Sequence, residues 1–243
     1  MKYGIFSDVH SNFEAFEAVL KALEEERVDQ YVFLGDIIGY GAQPKECLQL
    51  LKGLAKNGCL YVAGNHDYAA CGKAKTDRYV RYAIESLEWT RGILDDDDLQ
   101  FLAAMPLVQQ VEDFTIAHAN LEAPEKWNYI LDIDDVHPNF QRLKNQICFI
   151  GHSHRPITFY AQEGIDWFIQ DDFLIEEGVK YIINIGSVGQ PRDGNPKASF
   201  AVYDSAKKSV QIKRQEYDFH ATQKKILDAG LPKMLAERLG MGK

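Results

Sequence analysis

The chain has 243 residues, of which 46% are hydrophobic and 26% are charged, and its formal net charge is −9. This composition is that of an ordinary globular protein, and the net charge argues against a general binder of nucleic acid or of anionic membranes. A small phosphorylated substrate remains compatible with the acidic balance if a metal supplies local positive charge. No apolar run reaches the length of a membrane span and no signal peptide precedes the first predicted strand, so we expect a cytoplasmic protein.

The first half of the chain alternates strand-like apolar runs with helical patterns. Ser11 and Glu14 fit a capping box at the start of the first predicted helix. Pro44 favours the start of a second helix, and the residues from Thr76 to Trp89 have helical spacing. The acidic run Asp95–Asp98 is typical of residues that cap and charge the start of a short helix.

The second half of the chain predicts strands without intervening helices. The strand-like runs are residues 157–160, 181–184, 199–203 and 209–212, and the last three favour an antiparallel meander. Residues 186–196 form a loop rich in Gly and Pro. Residues 218–243 predict a helical tail, in which Gly230 and Pro232 separate two short helices. Because no linker or repeat interrupts the chain, we expect a single domain over residues 1–243.

Five short polar motifs each follow a strand-like apolar run. Because the carboxyl ends of neighbouring strands open on one rim of a sheet, we expect the motifs to converge. In the first and last motifs, alternate side chains point the same way if the backbone is extended. The motifs are Asp8-Val9-His10, Gly35-Asp36, Gly64-Asn65-His66-Asp67, His118 and Gly151-His152-Ser153-His154.

The donor types in these motifs predict a pair of divalent transition-metal ions. Such a pair needs seven or eight protein ligands with at least one bridging carboxylate. Oxygen ligands mixed with imidazole suit manganese, iron, zinc or nickel rather than calcium, and we expect manganese first. The chain offers seven candidate ligands: Asp8, His10, Asp36, Asn65, His118, His152 and His154.

Taken together, the motifs resemble the pattern of the calcineurin-like metallophosphoesterase superfamily: D-x-H, G-D, G-N-H-D/E, H and G-H-x-H. The resemblance spans about residues 1–214. It implies an α/β (α+β) four-layer sandwich, in which two mixed β-sheets are flanked by α-helices. It also implies that His66 is the catalytic imidazole and that Asp36 bridges the metals. One metal would be held by Asp8, His10, Asp36 and His154, and the other by Asp36, Asn65, His118 and His152.

Two segments relate the chain to branches of that superfamily. The Ser/Thr protein phosphatase branch has an aspartate and an arginine soon after the G-D motif, and both are missing from residues 37–41. Residues 186–194 resemble a bacterial and archaeal branch of small phosphoesterases. Within that loop, Arg192 is either a phosphate ligand or a solvated loop residue. Asn12, two residues after the first motif, is a second candidate phosphate ligand. Asp67 is a catalytic candidate that either caps the following segment or orients His66.

The resemblance implies a phosphoesterase that hydrolyses small phosphate esters or nucleotides by attack of a metal-bridging hydroxide. Tyr40, Trp127 and Tyr129 offer faces on which a base can stack. The alternatives are a dinucleoside polyphosphate hydrolase, a protein phosphatase and a non-catalytic protein-binding scaffold. We expect no stable nucleic-acid complex and no membrane association, and the sequence leaves the oligomeric state open.

Overall fold

Two six-stranded β-sheets form the centre of the computed structural model, which describes all residues from 1 to 243. The strands are β1 (Lys2–Phe6), β2 (Gln30–Phe33), β3 (Leu60–Tyr61), β4 (Val108–Gln110), β5 (Phe114–Ala117), β6 (Ile147–Ile150), β7 (Ile157–Ala161), β8 (Ile165–Phe168), β9 (Asp172–Leu174), β10 (Lys180–Asn184), β11 (Ala198–Asp204) and β12 (Ser209–Gln215). The first sheet has the order β3-β2-β1-β11-β12-β9, and the second has the order β4-β5-β6-β10-β7-β8.

Eight α-helices cover the outer faces of the sheets and the edges of the site. They are α1 (Phe13–Glu25), α2 (Pro44–Lys56), α3 (Asn65–Ala70), α4 (Arg81–Arg91), α5 (Asp96–Ala104), α6 (Ile133–Arg142), α7 (Phe219–Asp228) and α8 (Lys233–Glu237). None of these helices has the length and apolar character that a membrane span requires.

The layering follows from the alternation of side chains along each strand. In β1, Tyr3 and Ile5 enter the core between the two sheets, whereas Phe6 packs with α1 and α2 on the other face. In β6, Phe149 enters the core between the sheets, whereas Cys148 packs with α6. Helix, sheet, sheet and helix therefore form four layers, and the predicted fold class is confirmed.

Parallel pairing brings the motifs to one rim of the molecule. In the first sheet β1, β2 and β3 run parallel, and in the second sheet β5, β6 and β10 do. Each of the five motifs directly follows one of these strands, at its carboxyl end. The metal-ligand candidates of both sheets therefore meet at the same end of the sandwich.

The predicted meander of the last three strands is wrong. Strand β10 pairs with β6 and β7 in the second sheet, whereas β11 and β12 form a hairpin in the first. The loop between β10 and β11 crosses from one sheet to the other, and apolar patterning does not state which sheet a buried strand joins. Strands β4, β8 and β9 and helix α6, which contains Pro138, were not predicted.

Two predicted helix starts also differ from the structure. Helix α1 is capped by Asn12 rather than Ser11, because the Asn12 side chain accepts a hydrogen bond from the Ala15 N–H at 3.1 Å. The helix predicted from Thr76 begins only at Arg81, and the residues before it form turns. By contrast, Asp95 caps α5 as expected and pairs with Asp98 in a capping box.

The C-terminal tail forms two short helices as predicted, and α7 packs against α1. Lys225 of α7 forms an ion pair with Glu14 of α1, and the Thr222 hydroxyl donates to Asn12 at 3.0 Å. Leu235 and Leu239 pack in a small apolar cluster that also contains Tyr40, beside the metal-ligand candidates. These contacts support the single domain, which we retain as a proposal.

Candidate metal centre

One group of candidate ligands surrounds Asp8. The Nε2 atom of His154 lies 3.1 Å from Asp8 Oδ1 and 3.1 Å from Nε2 of His10. His10 Nε2 lies 3.7 Å from Asp8 Oδ1 and 3.7 Å from Asp36 Oδ2. Two ligands that bind one ion at about 2.1 Å and at a right angle are about 3.0 Å apart, so these spacings fit a shared ion.

The other group surrounds His118. Its Nε2 atom lies 3.1 Å from Nδ1 of His152, 3.2 Å from Oδ1 of Asn65 and 3.4 Å from Oδ2 of Asp36. The same oxygen of Asp36 therefore lies next to His10 of the Asp8 group and next to His118 of this group. This position matches the bridging role that the family resemblance implies for Asp36.

Each of the four histidines in these groups has its outer ring nitrogen against a backbone carbonyl. A carbonyl oxygen only accepts, so the nitrogen that contacts it must carry the hydrogen and the inner nitrogen of the neutral ring keeps a lone pair. The pairs are His10 Nδ1 with Ile38 (3.0 Å), His118 Nδ1 with Leu34 (2.8 Å), His152 Nε2 with Trp127 (2.9 Å) and His154 Nδ1 with Gln190 (2.6 Å).

In both groups, a positive charge at the centre would stabilise the buried carboxylate oxygens and imidazole lone pairs. Asp8 Oδ1 is buried without a hydrogen-bond donor, and the lone pairs of His10 and His154 point toward the same space. Burial opposes the charged form of His118, but the carboxylates of Asp36 and Asp8 outweigh it and raise the pKa of His118 to about 9. Buried acceptors that converge in this way fit divalent cations.

The side chains converge because the backbone at the motifs turns sharply, not because it is extended. Asp8, His10, Asp36, His152 and His154 all have φ between 50° and 69°, in the left-handed region that residues other than Gly rarely adopt. The first and last motifs therefore do not meet the condition of extended backbone under which alternate side chains would point the same way. Strain of this kind persists only where surrounding contacts hold it, and it concentrates at functional sites.

Two of the motif glycines allow the polypeptide segments to approach closely. A Cβ atom at Gly64 would collide with the carboxylate of Asp36, and one at Gly151 would collide with Ser7 and with Asp8. Any larger residue at these two positions would displace the ligand that it faces. Close approach, rather than left-handed backbone, is the reason for glycine here, because neither residue has a positive φ.

His66 lies beside both groups, in contact with Asp36 and with aromatic rings. Its backbone N–H donates to Asp36 Oδ1 at 2.8 Å, and its ring lies 4.6 Å from Tyr40 and 5.0 Å from Tyr79. The Nδ1 atom is buried without a partner, and a Cβ atom at Gly39 would lie 2.6 Å from it. Burial lowers the pKa of His66 to about 3 although Asp36 opposes this shift, so the ring is neutral.

Asp67 supports the backbone rather than the His66 ring. Its carboxylate accepts hydrogen bonds from four backbone N–H groups, and none of its hydrogen bonds reaches the ring of His66. Of the two roles left open above, the structure therefore shows the capping role and adds an anchoring role for the loop after Asp36. The four donors are Gly64 (2.9 Å), Asp36 (2.8 Å), Ile37 (3.0 Å) and Ile38 (3.4 Å).

The polar atoms of the Asn12 side chain form hydrogen bonds within the fold. Its amide donates to the Gly189 carbonyl at 2.9 Å and to the Tyr217 hydroxyl at 3.2 Å, while its oxygen caps α1 and accepts from Thr222. Asn12 is also 98% buried. No amide hydrogen is left for a phosphate, so these contacts argue against the predicted substrate-binding role.

Arg192 faces the site from the loop between β10 and β11. Its Nε and Nη2 atoms donate to the side chain of Gln190 at 3.2 and 2.8 Å, and its guanidinium carbon lies 5.8 Å from the ring centre of Tyr40. No carboxylate forms an ion pair with Arg192, in a chain whose net charge is −9. A guanidinium with free donors beside a buried metal site is suited to bind a phosphate oxygen.

A cleft of about 1100 Å³ opens over His66, His152, His154 and Arg192. Tyr129 lines this cleft with 46% of its surface exposed and stacks on the His152 ring at 4.1 Å and 18°. Tyr40 is buried, and Trp127 packs edge-on against Tyr68, so these two rings have less free face. Of the three aromatic residues that the sequence suggested, Tyr129 is the one that presents a ring to a ligand.

Sequence reasoning missed the backbone carbonyls that hold the histidines. Trp127 was considered for its ring, yet its carbonyl oxygen is the group that touches His152. Gln190 likewise acts on His154 through its carbonyl. A carbonyl is common to every residue, so no residue type in the sequence could have marked these partners.

Known proteins are similar to this chain in sequence and in fold over most of their length. Residues 1–208 match the model of the calcineurin-like phosphoesterase superfamily domain. An uncharacterised protein of Methanocaldococcus jannaschii is 38% identical over 245 residues, which cover 98% of this chain and 97% of that protein. A crystal structure of a metallophosphoesterase from Sphaerobacter thermophilus has a TM-score of 0.86 and 37% identity and covers 100% of this chain and 99% of that one.

A more distant structure shows the same fold. A hypothetical protein from Pyrococcus horikoshii has a TM-score of 0.80 at 18% identity and covers 100% of this chain and 98% of that chain. The family model spans all five motifs and every strand except β12, which confirms the resemblance found in the sequence. The chain therefore belongs to the calcineurin-like phosphoesterase superfamily, whose members depend on metal ions.

Proposed function

We propose that the protein is a binuclear metal-dependent phosphoesterase that hydrolyses small phosphate esters or nucleotides. The observation that carries the proposal is the position of Asp36 Oδ2, 3.7 Å from His10 in one ligand group and 3.4 Å from His118 in the other. A carboxylate oxygen between two sets of imidazole ligands is the arrangement that a bridged metal pair requires. When bound, two divalent ions polarise the phosphoryl group and lower the pKa of a water that becomes the nucleophile.

Residues of the chain then stabilise the leaving group and bind the phosphate. Because an N–H at Nδ1 of His66 would be buried without an acceptor, the neutral ring carries its hydrogen on Nε2. That hydrogen is available to the leaving oxygen of the substrate, where it stabilises developing charge. Arg192 holds a phosphate oxygen.

The features of the cleft support a small substrate. The arginine that protein phosphatases use after the G-D motif is absent here, and Tyr40 lies in that segment. Tyr129 adds an exposed ring within the cleft, on which the ring system of a nucleobase can stack. The chain keeps all seven candidate ligands and His66, which supports an enzyme rather than a protein-binding scaffold.

The first prediction concerns metal content. Protein saturated with Mn²⁺ and freed of excess ion should hold two equivalents per chain, and Asp36→Ala should lose both, because both groups share its carboxylate. Elemental analysis measures this directly. Asp77→Ala is the matched control, since Asp77 lines the cleft but belongs to neither group, and it should keep two equivalents. A saturated wild-type protein with one equivalent would contradict the binuclear site.

The second prediction concerns His66. His66→Ala should keep its metal and lower kcat by roughly 10² or more, because the variant loses the hydrogen-bond donor at the leaving oxygen. The effect should appear with alkyl phosphate esters and shrink with p-nitrophenyl esters, whose leaving group needs little stabilisation. The exposed His220 supplies the control His220→Ala. A wild-type rate of His66→Ala on the alkyl ester would show that His66 has no catalytic role.

The third prediction concerns substrate choice, measured with bis-p-nitrophenyl phosphate, p-nitrophenyl phosphate, mononucleotides and diadenosine polyphosphates. Tyr129→Ala should lower kcat/KM for the nucleotides about fivefold more than for the p-nitrophenyl esters, since stacking on a base contributes about 1 kcal/mol. Tyr129→Phe keeps the ring and should behave as wild type. An equal loss on every substrate, or efficient activity on a folded phosphoprotein alone, would contradict the proposed substrate class.

A further inference from the structure

Tyr79 contacts one of the candidate metal ligands, although it belongs to none of the five motifs. It lies in the turns before α4 and lines the cleft. The Nδ2 atom of Asn65 donates a hydrogen bond to the Tyr79 hydroxyl oxygen at 2.5 Å. The opposite end of the same amide, Oδ1, lies 3.2 Å from Nε2 of His118.

The orientation of the Asn65 amide decides whether this residue can bind a cation. Only the carbonyl oxygen of an amide has a lone pair to offer, and its NH₂ end carries partial positive charge. Rotation of the amide by 180° would turn the NH₂ group toward the metal position. The hydroxyl of Tyr79 is the only hydrogen-bond partner of Asn65 Nδ2, so it is the group that satisfies the NH₂ end of the amide while Oδ1 faces the metal position.

We propose that Tyr79 is a positioning residue that holds the Asn65 amide with its oxygen toward the metal held by the His118 group. This inference rests on the proposed binuclear function and assigns to it a residue outside the family motifs. The ring of Tyr79 also packs 5.0 Å from the ring of His66, so the same side chain borders the ligand and the catalytic imidazole. Its hydroxyl acts on the amide, and its ring acts by packing.

Replacement of the hydroxyl alone separates these two contributions. Tyr79→Phe keeps the ring against His66 but removes the acceptor of Asn65 Nδ2. Metal-stripped protein is titrated with Mn²⁺ in a calorimeter. Compared with the wild type, the variant should bind one equivalent at least tenfold more weakly and the other with unchanged affinity. A loss of this size is usual when a hydrogen-bond partner of a metal ligand is removed. The control is Tyr82→Phe, because Tyr82 lines the same cleft and hydrogen-bonds to no candidate ligand.

A double-mutant cycle tests the orientation argument itself. Asn65→Asp has an oxygen at both ends of the side chain, so its orientation no longer matters. In that background Tyr79→Phe should change Mn²⁺ affinity less than threefold. An unchanged titration of the Tyr79→Phe single variant, an equal change in Tyr82→Phe, or a full tenfold loss in the Asn65→Asp background would each overturn the inference.

The same experiment separates this inference from the proposed function. If the wild-type protein takes up no Mn²⁺, or only one equivalent at saturation, the binuclear proposal fails. If the wild type binds two equivalents and Tyr79→Phe binds them with the same affinities, the role of Tyr79 fails while the binuclear proposal stands.

Discussion

Hydrogen bonds from four imidazoles to backbone carbonyls are the interaction on which the rest of the site depends. Each one fixes which ring nitrogen faces inward, and together they direct four lone pairs at two places. The carbonyls are themselves held by the fold. Ile38 lies in the loop anchored by Asp67, and Gln190 lies in a loop whose Gly189 N–H donates to the Asp8 carbonyl at 2.9 Å. The orientation of these candidate ligands is thus set by main-chain geometry.

The two sheets bring the motif loops to one edge of the sandwich, and strained backbone within these loops orients the side chains of the site. Parallel strands of two sheets end at one edge, but strand ends alone would leave the side chains splayed apart. Left-handed backbone at Asp8, Asp36 and His154 turns these side chains inward. Such conformations are unfavourable for residues with a Cβ atom, and the buried core under the rim and the hydrogen bonds of the motif loops hold them in place. Stability elsewhere in the fold therefore supports the geometry of the centre.

The sequence was sufficient to predict that the candidate ligands converge, but not the backbone conformation that brings them together. Each motif follows an apolar run, such as Ile147–Ile150 before Gly151, and this order implies strand ends on one rim. The sequence could not distinguish Ser11 from Asn12 as the cap of helix α1, because both residue types cap well. The sheet that Lys180–Asn184 joins depends on long-range packing, which leaves no local pattern. Tyr79 and the four carbonyls act through contacts across the fold, which no motif records.

The tautomers of the four histidines in protein loaded with diamagnetic Zn²⁺ would reveal whether the backbone carbonyls orient these rings. Nitrogen-15 NMR of the imidazole rings distinguishes a protonated ring nitrogen from a metal-bound one. We predict hydrogen on Nδ1 and metal on Nε2 for His10, His118 and His154, and the reverse for His152, whose Nε2 contacts the Trp127 carbonyl. The same tautomer in all four rings, or metal on Nε2 of His152, would show that the backbone carbonyls do not orient the ligands.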